Sequence, residues 1–386
     1  MTSRPDAIVV GAGIVGAACA HALSRHGLRV TVVDEAFAGG GTTAAGMGHI
    51  VVMDDSDAQF ALTSYSARLL DDLVASLPPA AEFQRCGTLW VAEDEAQLEA
   101  ARGKQAYFEG RGVRTELLDA AALGEAEPML RRGLAGGLRV PSDAVVYPPA
   151  VARWLLDEAK VAGAVLREGV RVDAVLPRAV VTTAGRLDAG VVINAAGAGA
   201  ARLTPGLPVV PRKGHLVITE RAPGFCRHQV VELGYLQSAH TMSAASVAFN
   251  VQPRVTGQLL IGSSRELVGW DASLNRALLS RMLERALRFM PGLARIPALR
   301  TWTGFRPATP DKLPLVGAWP AVDGLWIAAG HEGLGITTAL GTGALLADLI
   351  LGHPTGIDPA PFAPDRVLAD AAVPPLPEGE GAGGEG

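Results

Sequence analysis

The sequence has few cysteines and no long apolar run. The three cysteines, Cys19, Cys86 and Cys226, are far apart and include no CxxC pair of the kind that holds zinc or an iron–sulfur cluster. We therefore predict no metal centre and a reducing, cytoplasmic setting. No uninterrupted apolar run reaches the roughly 18 to 20 residues that a membrane span needs, so we also predict no membrane span.

Lysine and net positive charge are also scarce. The chain has four lysines, whereas its Lys and Arg residues total 34, and its formal net charge is -5 with a pI near 5.9. This balance offers no basic surface for nucleic acid or anionic lipid, so neither is a predicted partner. We therefore expect arginine, rather than lysine, to bind a carboxylate.

The remaining composition indicates a large α/β protein. Of 386 residues, 49% are apolar and 19% are charged, which excludes disorder as the main state. The length favours two domains or one domain with a large insertion. Segments typical of parallel and antiparallel sheets alternate twice along the chain, so the predicted domains interleave. Residues 371–386, mostly Pro, Gly, Ala and Glu, are predicted to be disordered.

A nucleotide-binding pattern stands near the N-terminus. Gly11, Gly13 and Gly16 form GxGxxG directly after the apolar run Ala7 to Val10, and a helix pattern follows. Such glycines allow a tight turn and let a pyrophosphate approach the backbone N–H groups of a helix N-terminus. Asp34 ends the next predicted strand, where a carboxylate can bind a ribose hydroxyl. This pattern alone does not decide between NAD and FAD.

Two further glycine-rich stretches point to a flavin. The loop "GGGTTAAGMGHI" follows the second strand at once, and the hydroxyl groups of Thr42 and Thr43 can line a phosphate or a flavin edge. A second glycine-rich helix start, "GHEGLGITTALGTG", lies near the other end of the chain.

These stretches, with "VVINAAGAGA" and "WTGFRPATPDKLPLVG", resemble the D-amino acid oxidase family of flavoproteins, which includes glycine and sarcosine oxidases and D-amino acid dehydrogenases. The resemblance implies an α/β fold. A Rossmann-like FAD-binding domain of the glutathione-reductase type (1–50, 148–206 and 300–368) is interleaved with an antiparallel-sheet substrate domain (51–147 and 207–299).

The resemblance also implies which residues bind FAD. The predicted cofactor residues are Gly11, Gly13, Ile14, Val15, Asp34, Glu35, Thr42, Thr43, Gly46, Met47, Val172, Ala196, Gly197, Gly330, Gly333, Leu334, Gly335, Ile336 and Thr337.

Departures from the family refine this expectation. Gly304 stands where monomeric sarcosine oxidases attach the flavin through a cysteine, so we predict noncovalent FAD. Leu260 stands where those oxidases place a lysine that reacts with oxygen, which weakens the case for an oxidase. Gly333 replaces a second arginine of glycine oxidases, which makes glycine a less convincing substrate.

The resemblance assigns Arg306 to the substrate carboxylate, so that the α C–H can pass as hydride to flavin N5 without a protein base. Tyr235 and His240 are further predicted catalytic residues, and His215 and Glu232 are candidates to reach the substrate. For these last four residues a structural role is the alternative. His49 and His331 are expected to pack or hydrogen-bond within the cofactor loops.

Several stretches resemble the flavin subunits of bacterial D-hydroxyproline dehydrogenases. That resemblance implies oxidation of cis-4-hydroxy-D-proline, D-proline or another cyclic D-amino acid, with electrons passed to partner flavin and iron–sulfur subunits or to a quinone. One alternative is an oxygen-using oxidase of sarcosine-like amines that releases hydrogen peroxide. Another is a non-catalytic flavoprotein subunit.

Overall fold

The computed structural model of the chain describes residues 4–234 and 245–367. Tyr235 and His240 lie outside the described residues, as does the predicted tail at 371–386.

A mainly parallel sheet of six strands forms the first layer. Its order is β18-β19-β12-β1-β2-β8, and only the edge pair β18 and β19 is antiparallel. The central strands are short, apolar and buried on both faces, as expected when helices cover a parallel sheet. The strands are β1 (Ala7–Val10), β2 (Val30–Val33), β8 (Val165–Arg167), β12 (Val191–Asn194), β18 (Leu315–Ala318) and β19 (Leu325–Ala329).

Helices α1 (Ile14–Arg25), α3 (Asp57–Leu73), α6 (Pro148–Val161) and α9 (Gly335–Leu351) pack around this sheet. Prolines occupy the first turn of α6, where a missing N–H is tolerated. Gly352 ends α9 with φ +69°, a left-handed conformation that glycine adopts without strain. The remaining α-helices within residues 4–234 and 245–367 are α2 (Gly41–Ala45), α4 (Glu95–Glu109), α5 (Ala120–Ala126), α7 (Ala200–Leu203) and α8 (Arg276–Phe289).

A mainly antiparallel sheet of eight strands forms the second layer, in the order β17-β13-β16-β15-β14-β4-β6-β5. Helix α8 covers it, and Phe289 stacks on Phe249 with ring centroids 4.5 Å apart. The strands are β4 (Thr88–Ala92), β5 (Glu116–Asp119), β6 (Gly136–Val140), β13 (Val210–Thr219), β14 (Gln229–Glu232), β15 (Ala245–Pro253), β16 (Leu259–Glu266) and β17 (Ala298–Ala308).

Two small sheets complete the described fold. One holds β9 (Val172–Leu176), β10 (Ala179–Thr182) and β11 (Gly185–Asp188), and the other pairs β3 (His49–Ile50) with β7 (Ala144–Val145).

The two main sheets draw on alternating parts of the chain, but one predicted boundary needs correction. The predicted FAD-binding domain includes residues 300–308, whereas β17 pairs along its length with β13 of the eight-stranded sheet. The boundary at residue 300 therefore falls inside a strand of the second layer. The rest of the predicted division stays a prediction.

One helix, Glu332–Leu351, is long and apolar enough to span a membrane by length and composition. Half of its most apolar stretch is buried inside the protein. A Cβ atom added at Gly343 would lie 2.5 Å from the carbonyl oxygen of Ala18 on α1, and one at Gly341 would lie 2.6 Å from Oγ of Ser66 on α3. The apolar character of α9 is thus explained by its place between two core helices.

We predict that Gly343→Ala destabilises the protein because the added methyl group meets the α1 backbone. Overpacking of this kind costs about 1 to 3 kcal/mol of the free energy of unfolding. Gly103, which is exposed in the middle of α4, has no atom within 4 Å of the corresponding position. Gly103→Ala should therefore stabilise by about 0.5 to 1 kcal/mol. Denaturant unfolding of both variants checks this, and a harmless Gly343→Ala would contradict the packing.

A buried carboxyl group lies between β6 and β7. Asp143 is 2% exposed and accepts a hydrogen bond from Val52 N at 3.3 Å. Burial raises the pKa of Asp143 to about 7, although Thr88, the Val52 amide and Lys104 lower it in part. The neutral form is therefore favoured in the folded state.

This raised pKa predicts a pH-dependent effect of Asp143→Asn. In the wild type, the stability gained from the neutral carboxyl is complete below pH about 4 and is lost as the pH rises through about 7. The asparagine variant has no such loss. Its free energy of unfolding relative to wild type should thus increase from pH 5 to pH 8 by about 2 to 3 kcal/mol, since about two pKa units of the shift lie above pH 5, at 1.36 kcal/mol per unit. Urea titrations at several pH values test this, with exposed Asp72→Asn as the control, and a pH-independent difference would contradict it.

Candidate cofactor and substrate site

A cavity of about 700 Å³ lies where the two main sheets meet. This volume is in the upper part of the range of about 300 to 1,000 Å³ found for small-molecule sites. Its wall is built from both ends of the chain, with the glycine loop before α1 and the start of α9 on the same cavity.

The glycine loop approaches the neighbouring strand too closely for any side chain. Gly11 has φ +105°, and a Cβ atom there would lie 2.5 Å from the carbonyl oxygen of Ala195. A Cβ at Gly16 would lie 2.0 Å from the Gly11 carbonyl oxygen. Gly13, the N-cap of α1, offers no capping side chain, and the Ile14 N–H donates to Oγ1 of Thr43 at 3.0 Å. Thr43 therefore occupies the Ile14 N–H, while the rest of the α1 N-terminus has no side-chain cap from Gly13 and lies on the cavity wall, where it can receive an anion.

Asp34 fixes the turn beside this loop. Its carboxylate accepts hydrogen bonds from Ala12 N at 2.7 Å and from Ala36 N at 2.8 Å. The carboxylate therefore ties β2 to the glycine loop while lying on the cavity wall. Glu35 is more exposed and lies 3.9 Å from the guanidinium of Arg202.

Helix α2 and the loop after it lie between the two sheets. Thr42 Oγ1 donates to the Phe305 carbonyl on β17 at 2.7 Å, and a Cβ atom at Gly46 would lie 2.7 Å from Ile336 Cδ1 on α9. A Cβ at Gly304 would lie 2.4 Å from that of Ala45. Position 304 thus has no room for a side chain, including the cysteine that sarcosine oxidases use.

The start of α9 faces the same cavity. Gly335 and Ile336 lie on the wall, and Thr337 Oγ1 donates to the His49 carbonyl at 2.8 Å. The N-cap residue of α9, Leu334, makes no side-chain cap, so two helix N-termini direct their partial positive charge towards one space.

The predicted cofactor residues divide into two groups in the structure. Three of them lie behind the wall: Gly330 packs on Thr309, while Leu334 and Thr337 belong to the start of α9. The others form part of the wall itself: Gly11, Gly13, Ile14, Val15, Asp34, Glu35, Thr42, Thr43, Gly46, Met47, Val172, Ala196, Gly197, Gly333, Gly335 and Ile336. Their contact with FAD stays a prediction.

Two histidines on the wall, the half-buried His49 and the buried His331, are held neutral. Burial lowers the pKa of both His49 and His331 to about 3. His331 Nε2 lies 3.0 Å from Oγ1 of Thr342, whereas His49 Nε2 is buried without a hydrogen-bond partner among the described residues. Neither residue carries a charge near neutral pH, and His49 has a polar atom available to a ligand.

Arg306 reaches the cavity from β17. Its Nη1 donates to the Ser264 carbonyl at 2.9 Å, and its guanidinium lies directly over Gly214 of β13. A Cβ atom at Gly214 would lie 2.3 Å from that Nη1. The side chain can take this position only because residue 214 is glycine.

Arg306 belongs to an arginine cluster, with Arg212 and Arg265, on the three neighbouring strands β17, β13 and β16. The carboxylate of Glu332 lies 3.4 Å from Arg212 Nη1 and 3.5 Å from Arg265 Nε. Burial alone would raise the pKa of Glu332, but Arg265, Arg306, Arg212 and the Gly333 amide lower it to about 2. Glu332 is therefore ionised, and the four side chains together carry a net positive charge.

His215 and Glu232 lie away from the cavity wall. His215 Nε2 accepts from Asn275 N at 3.0 Å and its Nδ1 lies 2.8 Å from Ser264 Oγ, so both ring nitrogens are used within the protein. Burial lowers the pKa of His215. Glu232 accepts from Phe249 N and pairs with Arg285. These contacts favour the structural alternative for both residues.

Leu260 does not lie beside the cofactor cavity as expected, because it is buried in β16 and does not line the wall. On that strand the wall residue is Ser263. None of the four lysines, all of which lie within the described residues, is on the wall.

Sequence reasoning missed several wall residues. Glu332 lay within a quoted motif but received no role, and Gly214, Asn250, Ser263 and Trp270 were not considered. A glycine inside a β-branched run such as "KGHLVIT" is a recognisable sign of close approach by another group.

One group of possible metal ligands occurs among the described residues. His26, Asp348 and His353 lie on the surface, with ligand atoms within 4.8 Å of one another. They sit at the C-terminal ends of α1 and α9, opposite the ends that form the cavity.

The cavity fits a long dinucleotide. The glycine loop forms a cradle that a Cβ atom would fill, two open helix N-termini suit phosphate and carbonyl oxygens, and His49 presents a buried, unpartnered nitrogen. A carboxylate at the end of β2 completes a nucleotide site. The fold and the cavity thus define the class of the protein. It is a nucleotide-dependent oxidoreductase in which one sheet builds the nucleotide site and a second sheet faces the substrate.

Comparison with known proteins narrows this class. Residues 6–349 match the family model described as DAO, FAD dependent oxidoreductase. Hydrogen cyanide synthase subunit HcnC of Pseudomonas aeruginosa is 30% identical, with 97% of this chain and 99% of that protein covered. D-amino acid dehydrogenase of Cereibacter sphaeroides is 29% identical, with 94% and 95% covered.

Glycine oxidase of Geobacillus kaustophilus is 30% identical, with 97% of this chain and 100% of that protein covered. Its crystal structure superposes with a TM-score of 0.84 at 28% identity, covering 94% of this chain and 98% of that one. The chain belongs to the DAO family of FAD-dependent oxidoreductases, which confirms the predicted fold class, the FAD cofactor and an enzyme of amino acid oxidation.

We predict that Gly214→Ala displaces the Arg306 guanidinium and weakens carboxylate binding. Loss of a charge-assisted contact should lower the affinity for a simple carboxylate such as 2-furoate by roughly 10- to 100-fold. The perturbation of the flavin absorbance spectrum measures this binding. Gly124→Ala, on α5 with no atom within 4 Å of the added methyl group, is the control. Unchanged 2-furoate affinity in Gly214→Ala would contradict the assignment.

Proposed function

We propose that the enzyme oxidises a D-amino acid or a cyclic or secondary amino acid to the imine, with cis-4-hydroxy-D-proline and D-proline as candidate substrates. The family to which the chain belongs supports the reaction class. The finer choice of substrate rests on the resemblance to D-hydroxyproline dehydrogenase flavin subunits.

The observation that carries the proposal is Arg306 on the wall of the cofactor cavity. The arginine cluster and Glu332 leave a net positive charge there, which attracts a carboxylate. A guanidinium binds a carboxylate with two parallel hydrogen bonds and so fixes orientation as well as affinity. An α-amino acid held this way would present its α C–H in one direction only.

Within this proposal the protein binds, orients and excludes water. When bound, FAD supplies the acceptor for the hydride at N5 of its ring system. Residues of the glycine loop, of α2 and of the start of α9 would hold it. Arg306 would hold the substrate carboxylate, and the neighbouring rings of Trp270 and Phe305, with centroids 5.2 Å apart, would limit the access of water. His49 and His331 are neutral near neutral pH because burial lowers the pKa of both to about 3.

We propose that the FAD is noncovalent. Gly304 has no room for a side chain beside Ala45, and none of the three cysteines lies on the cavity wall. All three are free thiols, which is compatible with the proposed cytoplasmic location.

We further propose that electrons leave to partner flavin and iron–sulfur subunits or to a quinone. The similar HcnC protein is named as a subunit, which supports a multi-subunit enzyme. The absence of lysine from the described wall agrees with a poor reaction with oxygen. The similarity to glycine oxidase favours the alternative, an oxidase that releases hydrogen peroxide.

The direct experiment is an anaerobic screen in which D-proline, cis-4-hydroxy-D-proline, sarcosine and glycine are mixed with the purified holoenzyme. Bleaching of the flavin absorbance by the cyclic D-amino acids is the expected result. Peroxide formation in air, compared with dye reduction, then distinguishes an oxidase from a dehydrogenase. No bleaching by any amino acid would favour the non-catalytic subunit.

We predict that Arg306→Met lowers kcat/KM for the best substrate by roughly 100- to 1,000-fold, because a buried charge-assisted pair is lost. Arg306→Lys keeps the charge but loses the two-pronged geometry, and it should have an intermediate effect. Arg178→Met, which removes the exposed pair with Asp323, is the control. Stopped-flow reduction of the flavin provides the rates, and wild-type kinetics in Arg306→Met would overturn the role of this residue.

A further inference from the structure

Glu332 has an unusual backbone for its residue type. Its φ of +46° lies in the left-handed region, which non-glycine residues rarely adopt and which costs free energy. Glycine would adopt this conformation without strain, and glycine follows directly at position 333. A strained residue at a cavity wall suggests that its side chain is needed there.

The Glu332 carboxylate is anchored from behind. Arg212 and Arg265, whose side chains are 5% and 4% exposed, approach the same oxygen, Oε1. The other oxygen, Oε2, accepts from Gly333 N at 2.9 Å. Glu332 forms part of the cavity wall, and its side chain is 18% exposed. The carboxylate is therefore fixed in position at the edge of the cavity.

Glu332 is also the sole acid on the substrate side of the described wall. The other acidic wall residues, Asp34, Glu35 and Asp173, lie at β2 and β9, beside the predicted adenosine region. Gly333 places no side chain between Glu332 and Arg306, and its Cβ position would be 3.8 Å from Arg306 Nε. A negative and a positive group thus lie side by side at the end of the cavity formed by the eight-stranded sheet.

We propose that Glu332 binds the positively charged amino group of the substrate while Arg306 binds its carboxylate, so that the pair selects amino acids over carboxylic acids without an amine. This inference rests on the proposed function and names the group that recognises the amine. An α-amino acid carries its two charges on groups attached to one carbon, which matches two adjacent side chains of opposite charge.

The same carboxylate is a poor proton acceptor because its pKa is lowered to about 2. The ammonium proton would leave to water, and the neutral amine would then react. An ionised neighbour stabilises the ammonium form, so Glu332 should raise the pKa of the bound amine. Replacement by glutamine should therefore shift the acidic limb of the kcat profile to lower pH.

The test compares two ligands in Glu332→Gln. D-proline, or the best amino acid from the screen, carries an ammonium group, whereas 2-furoate has a carboxylate on a ring of similar size but no amine. We expect KM for the amino acid to rise roughly 10- to 100-fold, the size of a lost hydrogen bond between charged groups. The Kd of 2-furoate, measured by the flavin spectrum, should stay the same or decrease.

Glu93→Gln is the matched control. The Glu93 carboxylate also lies among three arginines, 3.1 Å from Arg131, 3.0 Å from Arg285 and 2.7 Å from Arg288, but it is not part of the cavity wall. Ligand binding by this variant measures the general effect of removing a carboxylate from a group of arginines. Both ligands should bind to Glu93→Gln as they do to wild type.

The outcomes separate the two proposals. Selective loss of the amino acid and a shifted pH profile support the role of Glu332. Equal weakening of both ligands, with FAD content unchanged, would show that Glu332 only holds the arginine cluster. Oxidation of amino acids by the wild type together with unaltered KM in Glu332→Gln would also overturn this inference and leave the proposed function intact. A wild type that neither oxidises amino acids nor binds 2-furoate would overturn the proposed function itself.

Discussion

The architecture depends on the close packing of α1 against α9. Both helices begin at the cavity, and their contact brings the two ends of a 386-residue chain to one site. The contact requires glycine at position 343, because the Ala18 carbonyl leaves no space for a methyl group. Small residues in α1 and α9 therefore do more than fill a core, since they set where two helix N-termini point.

The second constraint is electrostatic. The arginine cluster would repel itself in a water-poor wall without a counter-charge, and Glu332 provides that counter-charge at 3.4 Å and 3.5 Å. The pair formed by Glu332 and Arg306 gives the eight-stranded sheet a function distinct from that of the six-stranded sheet. One sheet builds the nucleotide cradle, and the other presents charge to the substrate.

The nucleotide-binding half of the site could be predicted from the sequence because its residues lie close together along the chain. Gly11, Gly13, Gly16 and Asp34 lie within one strand, turn, helix and strand unit, whose geometry is set by neighbours along the chain. The substrate half depends on partners far apart in sequence. Gly214 matters only because β13 pairs with β17, and Glu332 only because it meets two arginines on other strands.

The alternation of residues along a strand does not show which residue of β16 lies at the cavity or which sheet β17 joins. The resemblance aligns Leu260 of "QLLIGSS" with a lysine beside the flavin, whereas Ser263 lies on the wall, and the pairing of β16 shifts register against both β13 and β15. The prediction of β17 as part of the nucleotide domain failed for a related reason. The family motif that contains Arg306 begins on β17, and this strand pairs with β13 on the substrate side.

The central claim is that the two ends of the chain enclose one FAD without a covalent bond. The most direct measurement is the flavin content of the purified protein before and after acid precipitation. We expect one FAD per chain, all of it released into the supernatant. A protein that contains no flavin, or flavin that stays in the precipitate, would contradict the account.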